Sequence, residues 1–424
     1  MKRSAHIKGI AERLSSELRG DGRKVMVSAP GRVDFLNTHQ DYKGLPVVPV
    51  AIGLRCYAMG KKTQADLVRV ASLNLAEAKE PFLDEFRLSD IRLMGHGWFG
   101  DYVRAVFESL GGVGRAAGMD IALWSDIPIG SGLSSSAAFE VSIAKLHSAC
   151  LGYKGSPRAL AESAYKAEHD IMGIPCGRLD QYSSSYGGVM SLQTRPPFRV
   201  EQLDWPDLTF VVADSGQHHR TAAIHPVRQK EIEEGLRILM DEAGIPKGLA
   251  RKLGYRCSDP SWEDINEAEI SPFLPMMKKA IADRLLFTLR MQVSTSYALA
   301  ILRRRPRVPA VPPSLATILR SRGNDALSAL GAVMDYQHEL LRDLYEVSTP
   351  RLEELRETLV GSGALGAKIS GAGLGGAVIG LVRNRKAGLA VKKACEGSGI
   401  ENVWVTSPGE GARVEDPNRP AMEG

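Results

Sequence analysis

Apolar positions recur along this chain at two periods, and those periods parse most of it. Residues 5–19 carry them at the spacing of a short amphipathic helix. Val25–Ser28 and Val47–Ile52 are strand-like runs, with Gly31 and Gly44 punctuating the turns between them. Strand-like pieces alternate to about residue 92. A helix over Asp101–Leu110 and a strand over Asp120–Trp124 follow. After a glycine/serine stretch comes a helix over Ala137–Cys150, where Ala137, Val141 and Ala144 share one face.

Residues 158–172 read as helix, and Ser183–Leu192 as loop then strand. Leu208–Asp214 is a buried-strand pattern that opens a second lobe. Residues 227–300 read as mostly helical. Arg303–Pro313, with its repeated prolines, reads as a loop or linker. Val333, Leu340, Leu341 and Leu344 mark a further amphipathic helix, and Ala377–Val382 a strand after a glycine-rich turn. No internal repeat is evident.

At 424 residues the chain exceeds one ordinary core, so two lobes are expected: 1–205 and 206–424, with an insertion at about 240–315. Apolar content of 44% and charged content of 24% are those of a globular protein. A net charge of +5 suits a small polyanion and is too weak a basic bias for nucleic acid. Five scattered cysteines without a CxxC pair speak against a disulfide framework or zinc site and for a reducing cytoplasm. No run approaches a membrane span, and no apolar leader segment follows the basic N-terminus. A cytoplasmic monomer or homodimer with no membrane partner is expected.

Pro128-Ile-Gly130-Ser131-Gly132-Leu133-Ser134-Ser135-Ser136-Ala137 follows a strand and opens onto a helix. Its glycines admit close backbone approach, and the free amides and dipole of a helix start attract anions. A phosphate site follows, with the serine hydroxyls as donors and one possible Mg²⁺ ligand. The bland alternative is an N-cap serine after a flexible loop. Glu168, on a predicted helix, could share Mg²⁺ with one of those hydroxyls; otherwise it is a solvated helical residue. Asp180 is either a helix cap or a group that orients the proton of an attacking hydroxyl, with Arg32 as its cation. Gly361–Gly376 is a second glycine-rich element, placed to turn against the phosphate site. The His218-His219 pair lacks a third ligand, so no transition metal is assigned.

Ala29-Pro-Gly-Arg-Val33 with His39-Gln-Asp41-Tyr42, the Pro128–Ala137 block and the glycine-rich third block resemble, in this order, the GHMP small-molecule kinases. Trp98-Phe-Gly-Asp-Tyr-Val103, Cys176-Gly-Arg-Leu-Asp-Gln181 and Leu341–Pro350 narrow the resemblance to the galactokinase branch. The resemblance runs from about residue 25 to Ser407–Ala412. It implies an α+β fold of two lobes: an N-terminal lobe like ribosomal protein S5 and a ferredoxin-like C-terminal lobe, with the active site in the cleft. It also implies Mg²⁺ and ATP, and a monosaccharide phosphorylated at its anomeric hydroxyl, galactose in the simplest case.

Carried over by position, Asp180 becomes the catalytic base and Arg32 its electrostatic partner. Ser136 and Glu168 become the Mg²⁺ ligands. Pro128, Gly130, Ser131, Gly132, Leu133, Ser134, Ser135, Ser136, Ala137, Gly371 and Gly373 hold ATP, with Trp98 near its base. His39, Asp41 and Gly177 contact the sugar. Thr38 and His225 line the same pocket but depart from the family's Glu and Tyr, and Asp34 and Asn37 also differ from the usual motif. Those departures open readings for galacturonate, arabinose or N-acetylgalactosamine. A third reading, from another class, is a non-catalytic sugar sensor of galactokinase-like sequence.

Overall fold

The computed structural model describes residues 2–111, 117–217 and 224–416; His218 and His219 lie outside them. The apolar run expected to end at Ser28 continues instead as strand β1 (Val25–Leu36), straight through Pro30-Gly31. Two register shifts against β2 (Val48–Lys62), between Pro30 and Arg32 and between Asp34 and Leu36, absorb the proline and the glycine. Gly31 is required there because a Cβ would lie 2.6 Å from the Leu133 carbonyl oxygen. The arginine block is therefore a bulged strand rather than a turn.

β1 and β2 belong to an eight-stranded sheet with β3 (Val68–Ser72), β4 (Leu83–Phe86), β5 (Met119–Ser125), β6 (Val189–Leu192), β7 (Val200–Leu203) and β12 (Arg413–Glu415). All of its pairings are antiparallel except β3 with β5. The helices Gly100–Gly111 and Ser135–Leu151 bury Val106, Phe107, Ile143 and Leu146 beneath it.

The second sheet holds β8 (Thr209–Asp214), β9 (Gly366–Ser370), β10 (Ala377–Val382) and β11 (Val403–Thr406) in the order β11-β8-β10-β9. Taken in chain order that is 4-1-3-2, the antiparallel ferredoxin-like arrangement. One hydrophobic cluster runs from Phe35 and Val50 of the first sheet to Phe210, Ile369 and Ile379 of the second.

Residues 243–278 are not the continuous helix that their neighbours imply. Gly244, Pro246, Gly254, Pro260, Pro272 and Pro275 interrupt the pattern, leaving turns and one-turn helices. They enclose a satellite core of Trp262, Ile265 and Ile270 against Leu45. Lys279–Leu302 is a 24-residue helix long and apolar enough to cross a membrane, contrary to the sequence expectation. It is a core helix: 67% of its most apolar window is buried, with Phe287, Met291 and Leu299 in the main cluster.

Arg284 on that helix is fully buried and bonds Glu231, Glu346 and the Leu344 carbonyl. Arg284→Met removes a buried cation and strands its acceptors, so about 3 kcal/mol of stability is expected to go. A urea unfolding midpoint unchanged from wild type would refute this.

Candidate active site

The bulge in β1 sets Arg32 between two chain segments that are remote in sequence. Its Nε donates to Asp180 Oδ1 at 2.8 Å and its Nη2 to Asp180 Oδ2 at 2.9 Å, a bidentate pair. The remaining nitrogen, Nη1, donates to the Gly132 carbonyl at 2.5 Å. Arg32 is buried, whereas the Asp180 side chain keeps 30% of its exposure and faces open space. Asp180 itself sits in the first turn of the helix Leu179–Tyr186, near a helix start as the sequence reading had it, and that helix continues through Ser183–Tyr186, where a loop was expected.

The segment 128–134 leads into the helix Ser135–Leu151 with positive φ at Gly130, Gly132 and Ser134. Ser134 makes no capping bond, and its buried hydroxyl has no partner among the described residues. The plain capping role is thus excluded for it. Gly132 cannot carry a side chain: its Cβ would approach the Ser370 carbonyl oxygen at 2.9 Å. A Cβ on Gly371 would lie 3.4 Å from the Gly132 oxygen, so the two glycine-rich elements touch backbone to backbone.

On the other side of Asp180, Asp41 packs on Gly177. A Cβ at Gly177 would fall 1.7 Å from Asp41 Oδ2, so only glycine leaves that carboxylate in place. Burial, and then the Asp180 charge, push the Asp41 carboxyl up to about 6. His39 lies with its ring 5.1 Å from His225 and 4.8 Å from Tyr345. Burial first, then His225 and Lys43, hold it well below the usual imidazole range. It is neutral, and because the Ala372 carbonyl only accepts, Nε2 carries the proton in their 3.1 Å bond. Tyr42 and Tyr345 share a hydroxyl–hydroxyl bond behind this pair, and Lys43 packs against both rings.

Thr38 is fastened by a residue with no role in the sequence reading. Lys368 of β9, fully buried, donates to Thr38 Oγ1 at 2.6 Å, to the Asp34 carbonyl at 2.7 Å and to the Ile369 carbonyl at 2.9 Å. Burial lowers its ammonium to about 8. Asp34 lies beside it with Oδ1 unpartnered among the described residues; burial raises its carboxyl against the pull of Lys368 and Arg32.

Glu168 sits in a π-helical turn, Lys166–Ile171, that breaks the expected 158–172 helix. It bonds the Ser136 hydroxyl and accepts from Gln181 Nε2 at 2.6 Å. Burial, then the Asp180 charge, push it up to about 7. Glu140 adds a third, fully buried carboxylate beside the Gln181 amide. Burial, Glu168 and Asp180 raise it well above the ordinary range. Trp98 lines a separate cleft of about 550 Å³ with Leu75, Pro81, Met94 and Phe99, and its buried Nε1 has no partner among the described residues.

Known proteins resemble this chain in sequence and in fold. Residues 100–188 match the family description "GHMP kinases N terminal domain", 315–399 "GHMP kinases C terminal" and 16–62 "Galactokinase galactose-binding signature". A galactokinase of Pyrococcus furiosus is 30% identical over 370 residues, covering 86% of this chain and 90% of that protein. The chain belongs to the galactokinase family. The human galactokinase is 28% identical over 418 residues, covering 95% of each. A crystal structure of Lactococcus lactis galactokinase complexed with galactose superposes with a TM-score of 0.77 at 22% identity, covering 96% of this chain and 99% of that one.

In this family member Arg32, Asp180, Asp41, Gly177, His39 and His225 form one cluster, and Ser136 meets Glu168. Trp98 stands apart in its own cleft. Lys368, Glu140 and Tyr345 carry no sequence-level assignment. A lysine inside the apolar strand β9 was the one available signal for the first of them.

Proposed function

We propose that this chain transfers the γ-phosphoryl group of ATP to the anomeric hydroxyl of galactose. The observation that carries the reading is the single guanidinium of Arg32, which ties Asp180 to the glycine loop at Gly132. Proton acceptor and phosphate cradle thereby keep a fixed separation, the main demand of phosphoryl transfer. Asp180 takes the hydroxyl proton, the sugar oxygen bonds to the γ-phosphorus, and the bond from that phosphorus to the leaving ADP oxygen breaks. Arg32 offsets the charge that develops between them. The glycine loop's amides hold the phosphates, and the cleft at Trp98 takes the adenine.

The donor set around Glu168 fits Mg²⁺: a carboxylate and the Ser136 hydroxyl in contact, both hard oxygens. No group of three His, Cys, Asp or Glu among the described residues forms a metal cage, so the ion's other positions fall to phosphates and water. When bound, it screens the phosphate charge. Glu168 must lose its proton to serve. The Mg²⁺ concentration for half-maximal rate should therefore fall as pH rises through about 7. Titrations at pH 6 and 8 check this, and Glu168→Gln should need more Mg²⁺ at both pH values with the slope gone. An equal slope in that variant would refute the assignment.

A second reading, a galactose-like uronic acid, is favoured by one observation. The buried Lys368 ammonium stands on Thr38, where a sugar carboxylate would meet a positive field. An ADP-release assay over galactose, galacturonate, arabinose, glucose and N-acetylgalactosamine decides. The highest kcat/KM is expected for galactose, whereas a clear preference for galacturonate would replace the substrate and leave the mechanism intact.

A further inference from the structure

The Pro-rich segment after Lys279–Leu302 is more than a connection. It forms one wall of a cavity of about 430 Å³ that shares no lining residue with the Arg32–Asp180 cluster. Arg303, Arg305 and Arg307 line it. Arg303 is engaged with Glu201. The guanidiniums of Arg305 and Arg307 have no hydrogen-bond or ion-pair partner among the described residues. Exposed arginines are often simply solvated, but here the chain that carries Arg305 is tied to the end of the helix. Arg303, Arg304 and Arg305 donate their amides to the last carbonyls of the helix, at Leu299, Ile301 and Ala300.

The opposite wall is of another kind. Gln193 offers an amide and Glu263 a carboxylate, Gln292 Nε2 donates to Ser296 Oγ at 3.2 Å, and Leu299 and Ala300 form an apolar floor. Two free guanidinium forks on one side, with the Glu263 carboxylate and an amide as hydrogen-bonding groups on the other, match a small molecule with a phosphate at one end and hydroxyls at the other. The volume is that of a small-ligand pocket.

The cavity also reaches the sugar pocket through one side chain. Asn37 Nδ2 donates to two cavity-lining residues, Gln292 Oε1 at 3.1 Å and the Pro46 carbonyl at 2.5 Å. Asn37 is fully buried, has a positive φ and directly precedes Thr38 and His39. A ligand that draws Gln292 toward itself must loosen or shift Asn37, and with it the start of that segment.

We propose that this cavity is a regulatory site for a sugar phosphate, coupled to the sugar pocket through Gln292 and Asn37. The test is calorimetric titration of the whole protein with galactose 1-phosphate, glucose 6-phosphate and inorganic phosphate. A non-hydrolysable ATP analogue fills the nucleotide site throughout. At least one sugar phosphate should bind at a single site, more tightly than inorganic phosphate. The double variant Arg305→Ala/Arg307→Ala should bind it about tenfold or more weakly while keeping its basal kcat and KM. In the wild type that sugar phosphate should change the KM for the sugar substrate by more than in the double variant, where only the competition of galactose 1-phosphate as a product remains.

Failure of both sugar phosphates to bind below about 1 mM, or equal binding by the double variant, would overturn the site. Binding without any effect on KM would overturn the coupling. The binding readout needs no turnover, so it stands apart from the identity of the active-site sugar.

Discussion

Asp180→Asn should lower kcat by about a thousandfold while ATP affinity stays within about twofold of wild type. The substitution keeps the size of the side chain and removes the proton acceptor. It also turns a bidentate ion pair with Arg32 into a neutral contact. ATP binding is spared because Arg32 keeps its bond to Gly132 and the glycine loop keeps its contact with Gly371. Single-turnover phosphoryl transfer and separate nucleotide titration check the two halves. A kcat within about tenfold of wild type would remove Asp180 from the role of base.

Gly177→Ala should raise the sugar KM by about a hundredfold, again with ATP affinity little changed. The added methyl would lie 1.7 Å from Asp41 Oδ2, which forces that carboxylate out of its place beside Asp180. The explanation carries its own control. In an Asp41→Ala background the obstruction is gone, so adding Gly177→Ala should then change KM by less than about threefold. Full additivity of the two substitutions would show that Gly177 acts through something other than Asp41.

Much of this site was legible in the sequence because its parts lie in short blocks. The strand–glycine loop–helix order at 120–150 and the segment 29–42 name their chemistry by local composition. The ferredoxin-like order of the second sheet followed from the family likeness rather than from periodicity.

What stayed hidden depends on contacts across the chain. Lys368 and Thr38 lie 330 positions apart, and nothing near either residue announces the other. Glu140 reads as an ordinary helical carboxylate until burial beside Glu168 sets it apart. The extent of β1 was misread because Pro30 and Gly31 are breakers by local rule, and the register shifts against β2 override that rule.

Strand β12 pairs with β1 at Met26, Val27 and Ser28, four residues before Arg32. The Arg55 guanidinium fixes the same return by donating to the carbonyls of Glu410 and Gly411. The order of synthesis matters as a result. On the ribosome, the sheet that carries Arg32 lacks its last strand until residue 415 has been made. A nascent chain holding every catalytic block still exposes the outer side of β1 until β12 has left the ribosome.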